Sequence, residues 1–142
     1  MTARHFALIL CLTASAALAH QGVQDPQVMA RMSLMEEIKQ ATGILGGMAR
    51  QPGSHSPEQA EAARNRLIAL SGDIPDAFRD PADDPKSESR REIWDDWEDF
   101  TARASALEDA ARQLDPASAE GVQRGLQEIG AACRGCHRPY RL

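Results

Sequence analysis

Aromatic residues are scarce in this chain: three Phe, two Trp and one Tyr among 142 residues. β-branched residues are also few and no run alternates apolar with polar, so a sheet has little to be built from. No Lys/Arg-rich run supplies the footprint of a nucleic-acid binder, and no basic amphipathic stretch suits a membrane surface. The formal net charge is −5, which fits a protein in solution whose partner is basic. The only long apolar run, "FALILCLTASAAL" at residues 6–18, is too short to span a bilayer comfortably, and no second one follows. Repeats and low-complexity tracts are absent. No pairing of acid, base and nucleophile points to an enzyme. Cysteine is limited to Cys11, Cys133 and Cys136.

What is present begins with that apolar run. A short basic "MTARH" precedes it, and Ala17-Leu18-Ala19 ends it with small residues at the two positions a signal peptidase reads. Residues 1–19 are therefore expected to be a cleavable secretory signal, and the protein is expected in the periplasm. Leu10 precedes Cys11 where a lipoprotein signal needs a small residue, so Cys11 should leave with the signal. Loss of Arg4 would take the net charge from −5 to −6. Residues 20–142 then form one domain of modest core.

That domain reads as helix interrupted by Gly, Pro and Asp-rich joints. Asp25-Pro26 supplies a cap and a first-turn proline for a helix whose apolar positions Val28, Met32, Met35, Ile38 and Leu45 step by three or four. Ser56-Pro57 opens a second helix to about Leu70. The segment "SGDIPDAFRDPADDPKSES" reads as irregular. A third helix is expected from about Glu88, with Ile93, Trp97, Phe100, Ala104, Leu107, Ala111 and Leu114 along its core stripe. Asp115-Pro116 should end it and open a fourth, where Ala119, Val122, Leu126, Ile129, Cys133 and Cys136 share a face. The fold predicted is all-α, an antiparallel four-helix bundle.

The last helix ends in "ACRGCHRPYRL". Two cysteines three apart with a histidine directly after the second form the C-x-x-C-H pattern of c-type haem attachment. Two thiols on an inward face can form thioethers, and the imidazole of His137 is a familiar ligand of haem iron. A thioredoxin-like dithiol is the first competitor, but it needs its reactive thiolate at a helix N-terminus. Zinc is the second, and it lacks a fourth ligand, since the other histidines beyond the signal, His20 and His55, lie far away in sequence. A chance match of so short a pattern is the third. Haem is the favoured reading of the four.

The chain resembles the class II cytochromes c, the cytochrome c′ family with its low-spin Met-ligated relatives. The likeness is carried by "CRGCHRPYR" at the C-terminus, by "ARMSLMEEIKQATGILGGMA" in the first helix, and by "EIWDDWEDFTARASALEDAARQL" in the third. The resemblance implies one covalently bound haem c near the C-terminus, held by Cys133 and Cys136, with His137 as proximal ligand. It places Met35 over the opposite face of the haem and Arg31 near the haem edge and propionates. Arg141 matches the basic residue four after the histidine. Redox partner proteins, and a homodimer through the first two helices, are implied as well. The sixth iron position divides the family. A Met ligand makes a low-spin electron carrier, whereas an unligated position leaves the iron five-coordinate and open to nitric oxide or carbon monoxide. Met is also a common core filler, so both readings stand, with ligation by Met35 preferred.

Overall fold

The computed structural model describes residues 22–142; the expected signal peptide, its cleavage after Ala19, Cys11 and His20 lie outside them. In chain order the helices are α1 (Pro26–Arg50), α2 (Pro57–Gly72), α3 (Ile74–Phe78), α4 (Glu92–Asp95), α5 (Trp97–Gln113) and α6 (Ala119–Tyr140). Both expected starts are where the capping chemistry puts them. The Asp25 carboxylate accepts from the backbone N–H groups of Gln27 and Val28 at 2.8 and 2.9 Å, with Pro26 in the first turn. The Ser56 hydroxyl accepts from Gln59 N–H ahead of α2.

α1 packs on α2, α2 on α5, α5 on α6, and α6 closes the ring on α1. Ties between connections fix the directions. His55 Nε2 lies 3.0 Å from the Pro116 carbonyl, joining the α1–α2 connection to the α5–α6 connection. At the opposite end, the Tyr140 hydroxyl from the end of α6 donates to Asp99 at the start of α5. Consecutive long helices thus run antiparallel, the four-helix bundle expected of the stripes. Leu45, Leu67, Ile93, Val122 and Ile129 are among its fully buried side chains, each contributing about 1.5–3 kcal/mol of apolar burial. No helix of the described residues is long and apolar enough to cross a membrane.

Three boundaries differ from expectation, each for a local reason. The third stripe is not one helix, because the backbone breaks at Asp96 (φ −131°, ψ 60°), whose side chain caps α5 by accepting from Asp99 N–H. Upstream of the break, Ser89 forms an isolated antiparallel bridge with Arg141 instead of a helical turn. The irregular segment contains α3, which forms because Ile74 and Phe78, four apart, are both buried. α6 opens at Ala119 rather than at Pro116: the Ser118 hydroxyl caps it at 3.0 Å, while the Asp115 side chain is spent on Ala117 N–H. The rest of the α3–α4 loop is anchored by Asp84. Its buried carboxylate accepts from Gln24, Asp25 and Lys86 N–H groups at 2.8, 3.1 and 2.8 Å. Those bonds hold the carboxyl below the usual aspartate range, and they tie the loop to the residues entering α1.

Candidate functional site

α6 has the strongest division of apolar and polar faces among the long helices, and its apolar line runs from Val122 and Ile129 to Cys133 and Cys136. Both cysteines are half-buried and neither is in a disulfide. Burial raises the Cys133 thiol and pushes that of Cys136 up to about 11, more than the opposing charges of Arg134 and Arg103 can offset. Thiols held neutral in this way are the reverse of the activated thiolate a dithiol oxidoreductase needs. His137 follows, with partial desolvation and then the Arg141 charge lowering its pKa against the pull of Glu88. Its imidazole is neutral at pH 7 and has a lone pair to offer. Among the described residues no three His, Cys, Asp or Glu side chains converge.

A proline inside the same turn shapes the backbone. α6 does not stop before Pro139 but runs to Tyr140. Pro139 has no N–H, so the carbonyl of Gly135, four residues earlier, loses its helical donor. Arg103 of α5 supplies the replacement, donating from Nη1 at 2.8 Å. The Arg103 guanidinium is in turn held by Asp99, and the Tyr140 hydroxyl donates to the same carboxylate at 2.6 Å. The segment Gly135–Tyr140, which includes Cys136 and His137, is therefore fastened to α5 at both ends. None of Asp99, Arg103 and Tyr140 was expected from the sequence as a site residue; the signal available was the proline, whose orphaned carbonyl requires a donor.

On the facing side, α1 brings Met35 half-buried against the core cluster that Cys133 and Cys136 also border, together with Leu34 and Trp97. Arg31 is placed differently. It is only 2% exposed, and its guanidinium donates to the carbonyls of Ala77 (2.9 Å), Asp80 and Ala82 (3.4 Å). Phe78 and Trp94 stack on it at 5.0 and 5.1 Å, a cation–π cage that offsets its desolvation. Arg141 is exposed and paired with Glu88, the Nε–H donating at 2.7 Å. Met35, Cys133 and Cys136 thus each border the one core that runs the length of the bundle, His137 and Arg141 lie at one helix end, and Arg31 serves the loop beyond α3. Trp97, expected in the core, is half-buried and stacks on Phe100 at 5.5 Å.

Two neutral, unpaired thiols one turn apart on a half-buried face, with a neutral imidazole at the next position, are a donor set that fits a haem bound through two thioethers and one axial nitrogen. The comparisons with known proteins agree. The family model described as Cytochrome C′ matches residues 26–141. The chain is 36% identical over 117 residues to cytochrome c-556 of Agrobacterium tumefaciens (strain apple 185), spanning 80% of this chain and 92% of the relative. It is 32% identical over 143 residues to cytochrome c-554 of Cereibacter sphaeroides, spanning 95% and 94%. The solved cytochrome c′ of Rubrivivax gelatinosus superposes with a TM-score of 0.70 at 24% identity, over 82% of this chain and 94% of the other. This chain belongs to the cytochrome c′ family, the class II cytochromes c, and its cofactor is a covalently attached haem c.

Proposed function

We propose that the protein is a periplasmic monohaem electron carrier in which Cys133 and Cys136 would hold the haem and His137 and Met35 would ligate its iron. Haem proteins of this family carry electrons or bind gases, and the sixth position decides between the two. The observation that carries the electron-transfer reading is the place of Met35. Its side chain is half-buried beside the cluster bordered by both cysteines, in a helix that packs on α6. Met29 of the same helix is 39% exposed, and Met48 is buried in the core about half a helix further on. Among the α1 methionines, Met35 is the one this packing favours as a ligand.

When bound, the haem supplies an iron that passes between ferrous and ferric by one electron. The chain's own part is to keep the side chains of His137 and Met35 still, because ligands that do not move lower the reorganisation accompanying electron transfer. His137 is held by the Arg103–Gly135 bond and the Tyr140–Asp99 bond that flank it. Met35 is held through Arg31, one turn earlier, whose bonds to Ala77 and Asp80 fix the first turns of α1. A propionate contact falls more readily to exposed Arg141 than to Arg31, which would have to release those carbonyls first. His/Met ligation also raises the reduction potential.

The ferrous protein is expected to show sharp, split α and β bands that do not change on adding carbon monoxide. Met35→Ala should convert that spectrum to a broad high-spin one that shifts at once with carbon monoxide. A wild-type protein that already behaves like the variant would overturn Met35 ligation in favour of a five-coordinate, gas-binding haem.

A further inference from the structure

Two arginines stand at matching distances from the side chains proposed as iron ligands. Arg31 precedes Met35 by four residues in α1, and Arg141 follows His137 by four at the end of α6. Both are bonded to one stretch of chain, from Ala77 at the end of α3 to Arg90 ahead of α4. Arg31 grips its first half, donating to the carbonyls of Ala77 at 2.9 Å, of Asp80, and of Ala82 at 3.4 Å. Gln27 Nε2, one turn earlier on α1, adds a bond to the Asp80 carbonyl at 3.2 Å. Asp84 returns the grip by accepting from the Gln24 and Asp25 N–H groups that lead into α1. The second half is held by α6. The Glu88 carboxylate accepts from Arg141 Nε–H at 2.7 Å and its carbonyl from Leu142 N–H at 2.9 Å, while Arg90 N–H donates to the Tyr140 carbonyl at 3.0 Å. Between the two sets of bonds lie Pro85, Lys86 and Ser87.

α1 and α6 also pack on each other directly, but that packing is open at the site end, where Met35, Cys133 and Cys136 are half-buried rather than enclosed. Side-chain contact alone therefore fixes the spacing of the two ligand-bearing turns less firmly there than close packing fixes it in the core. The Ala77–Arg90 stretch spans that end instead. Pro81 and Pro85 each lock one backbone angle and limit its slack. The Arg31 guanidinium is buried with its hydrogen bonds on carbonyls and its faces on Phe78 and Trp94. A charge buried that deeply is tolerated only where it is hydrogen-bonded. The first turns of α1 and this stretch therefore move together or not at all.

We propose that residues 79–89 are a strap that holds the turn carrying Met35 and the turn carrying His137 at a fixed spacing, with Arg31 and Glu88 as its two clasps. Its effect on iron ligation rests on the Met35 reading. Arg31 and Glu88 are positioning residues, each acting through the strap on a side chain that another helix carries. A change at the α6 clasp should thus be felt at Met35, although Glu88 makes no bond to α1 among the described residues.

The test uses the ferric holoprotein titrated with imidazole, which displaces a methionine from iron and abolishes the iron–sulfur charge-transfer band in the red. Arg31→Met should raise the apparent imidazole affinity by about tenfold, the factor expected on losing charge-assisted hydrogen bonds. Arg31→Lys keeps the charge without the fork of donors and should fall between the two proteins. Two variants that alter nothing on α1 separate the strap from a local effect of Arg31. Glu88→Gln should raise the affinity by about twofold, the size of an exposed ion pair. Two glycines inserted between the exposed Lys86 and Ser87 slacken the strap with both clasps closed, and should raise the affinity further than Glu88→Gln does. Amide hydrogen exchange gives a readout independent of the iron. In the insertion variant, residues 31–35 and 137–141 should exchange faster than in the wild type, with residues 60–70 of α2 unchanged. Exchange at both turns that the insertion leaves as in the wild type would overturn the strap, whatever Arg31→Met does. Faster exchange with unchanged imidazole affinity would overturn its role in ligation. A wild-type protein without the charge-transfer band would overturn Met35 ligation, and the exchange rates would still decide whether the strap exists.

Discussion

The two ends of this bundle are made of different materials. Far from the C-x-x-C-H segment, the helices meet through Ala60, Ala63, Ala111, Leu114 and Val122, with glycine at the tightest points. A Cβ on Gly125 would sit 2.6 Å from Leu114 Cγ, and one on Gly121 would sit 2.6 Å from the Asp115 carbonyl oxygen. At the site end, every aromatic residue of the described chain is gathered: Phe78, Trp94, Trp97, Phe100 and Tyr140. Phe100 is the hub, with ring centroids 5.3, 5.5 and 5.4 Å from Phe78, Trp97 and Tyr140. Around these rings lie a caged arginine and a network of carboxylates bonded to backbone and side-chain donors. Interaxial distance follows the size of the side chains between helices. Small residues therefore close the far end, while rings and polar ties brace the site end, where a large flat cofactor has to be held. Stability and function are divided along the length of one fold.

Replacing the hub should have the largest effect. Phe100→Ala removes a buried ring with three aromatic partners and is expected to cost about 3–5 kcal/mol. Because those partners include Tyr140, which follows His137 by three residues, the visible spectrum should change as well. The matching substitution at the other end is Gly125→Val. It drives methyl groups into Leu114 at its Cβ and Cγ, atoms with little freedom to move, and should cost about 1–3 kcal/mol. Here the spectrum should stay as in the wild type. Denaturant unfolding and the ferrous spectrum of both variants, measured together, test the division. A Gly125→Val spectrum as disturbed as that of Phe100→Ala would erase it.

What could be read from the sequence was what local rules decide, at either end of the bundle. The cap at Asp25 by the site end and that at Ser56 by the far end, the first-turn prolines, and the stripes stepping by three and four were all legible. The C-x-x-C-H pattern was legible for the same reason, since five consecutive residues contain it. What escaped depends on contacts made across the fold. Arg31 reads in sequence as an ordinary helical arginine near a cofactor. Its burial follows from carbonyls 46, 49 and 51 residues away, which no local pattern reveals. The spacing of Ile93, Trp97 and Phe100 fits one continuous helix, yet Asp96 between them prefers to cap, and the bridge from Ser89 to Arg141 draws the upstream residues away. Asp84 looks like one more acid in a polar loop until the chain entering α1 presents two N–H groups to it. Pro139 differs, since the residue is visible in the sequence and only the partner that answers it lies elsewhere in the fold. A proline near a helix end reads as a stop, but α6 continues through it because Arg103 satisfies the carbonyl it frees.

The smallest and most specific effect is expected at the Tyr140–Asp99 contact, the polar tie nearest the hub. The Arg103 bond and then the Tyr140 hydroxyl hold the Asp99 carboxyl below its usual range. A carboxyl depressed in the folded state adds stability that is present above its unfolded value of about 3.9 and is lost as pH falls through that value towards the folded one. The tyrosine has the opposite sign. Burial, with the Asp99 bond and charge, pushes its phenol up to about 12. Its contribution is therefore present below the unfolded value of about 10 and is lost as pH rises from there towards 12. Tyr140→Phe keeps the ring against Phe100 and removes only the hydroxyl. At neutral pH it should cost about 0.5–1.5 kcal/mol. In acid, Asp99 regains part of its ordinary pKa, so the stability lost below the unfolded value of about 3.9 should be smaller than in the wild type, and the loss should be complete at a higher pH. In base, the slope between pH 10 and 12 that belongs to Tyr140 should vanish. Thermal unfolding of both proteins across that whole range measures the two slopes separately. If neither limb differs between the two proteins, the hydroxyl is not the donor that braces the end of α6, and Arg103 alone holds it.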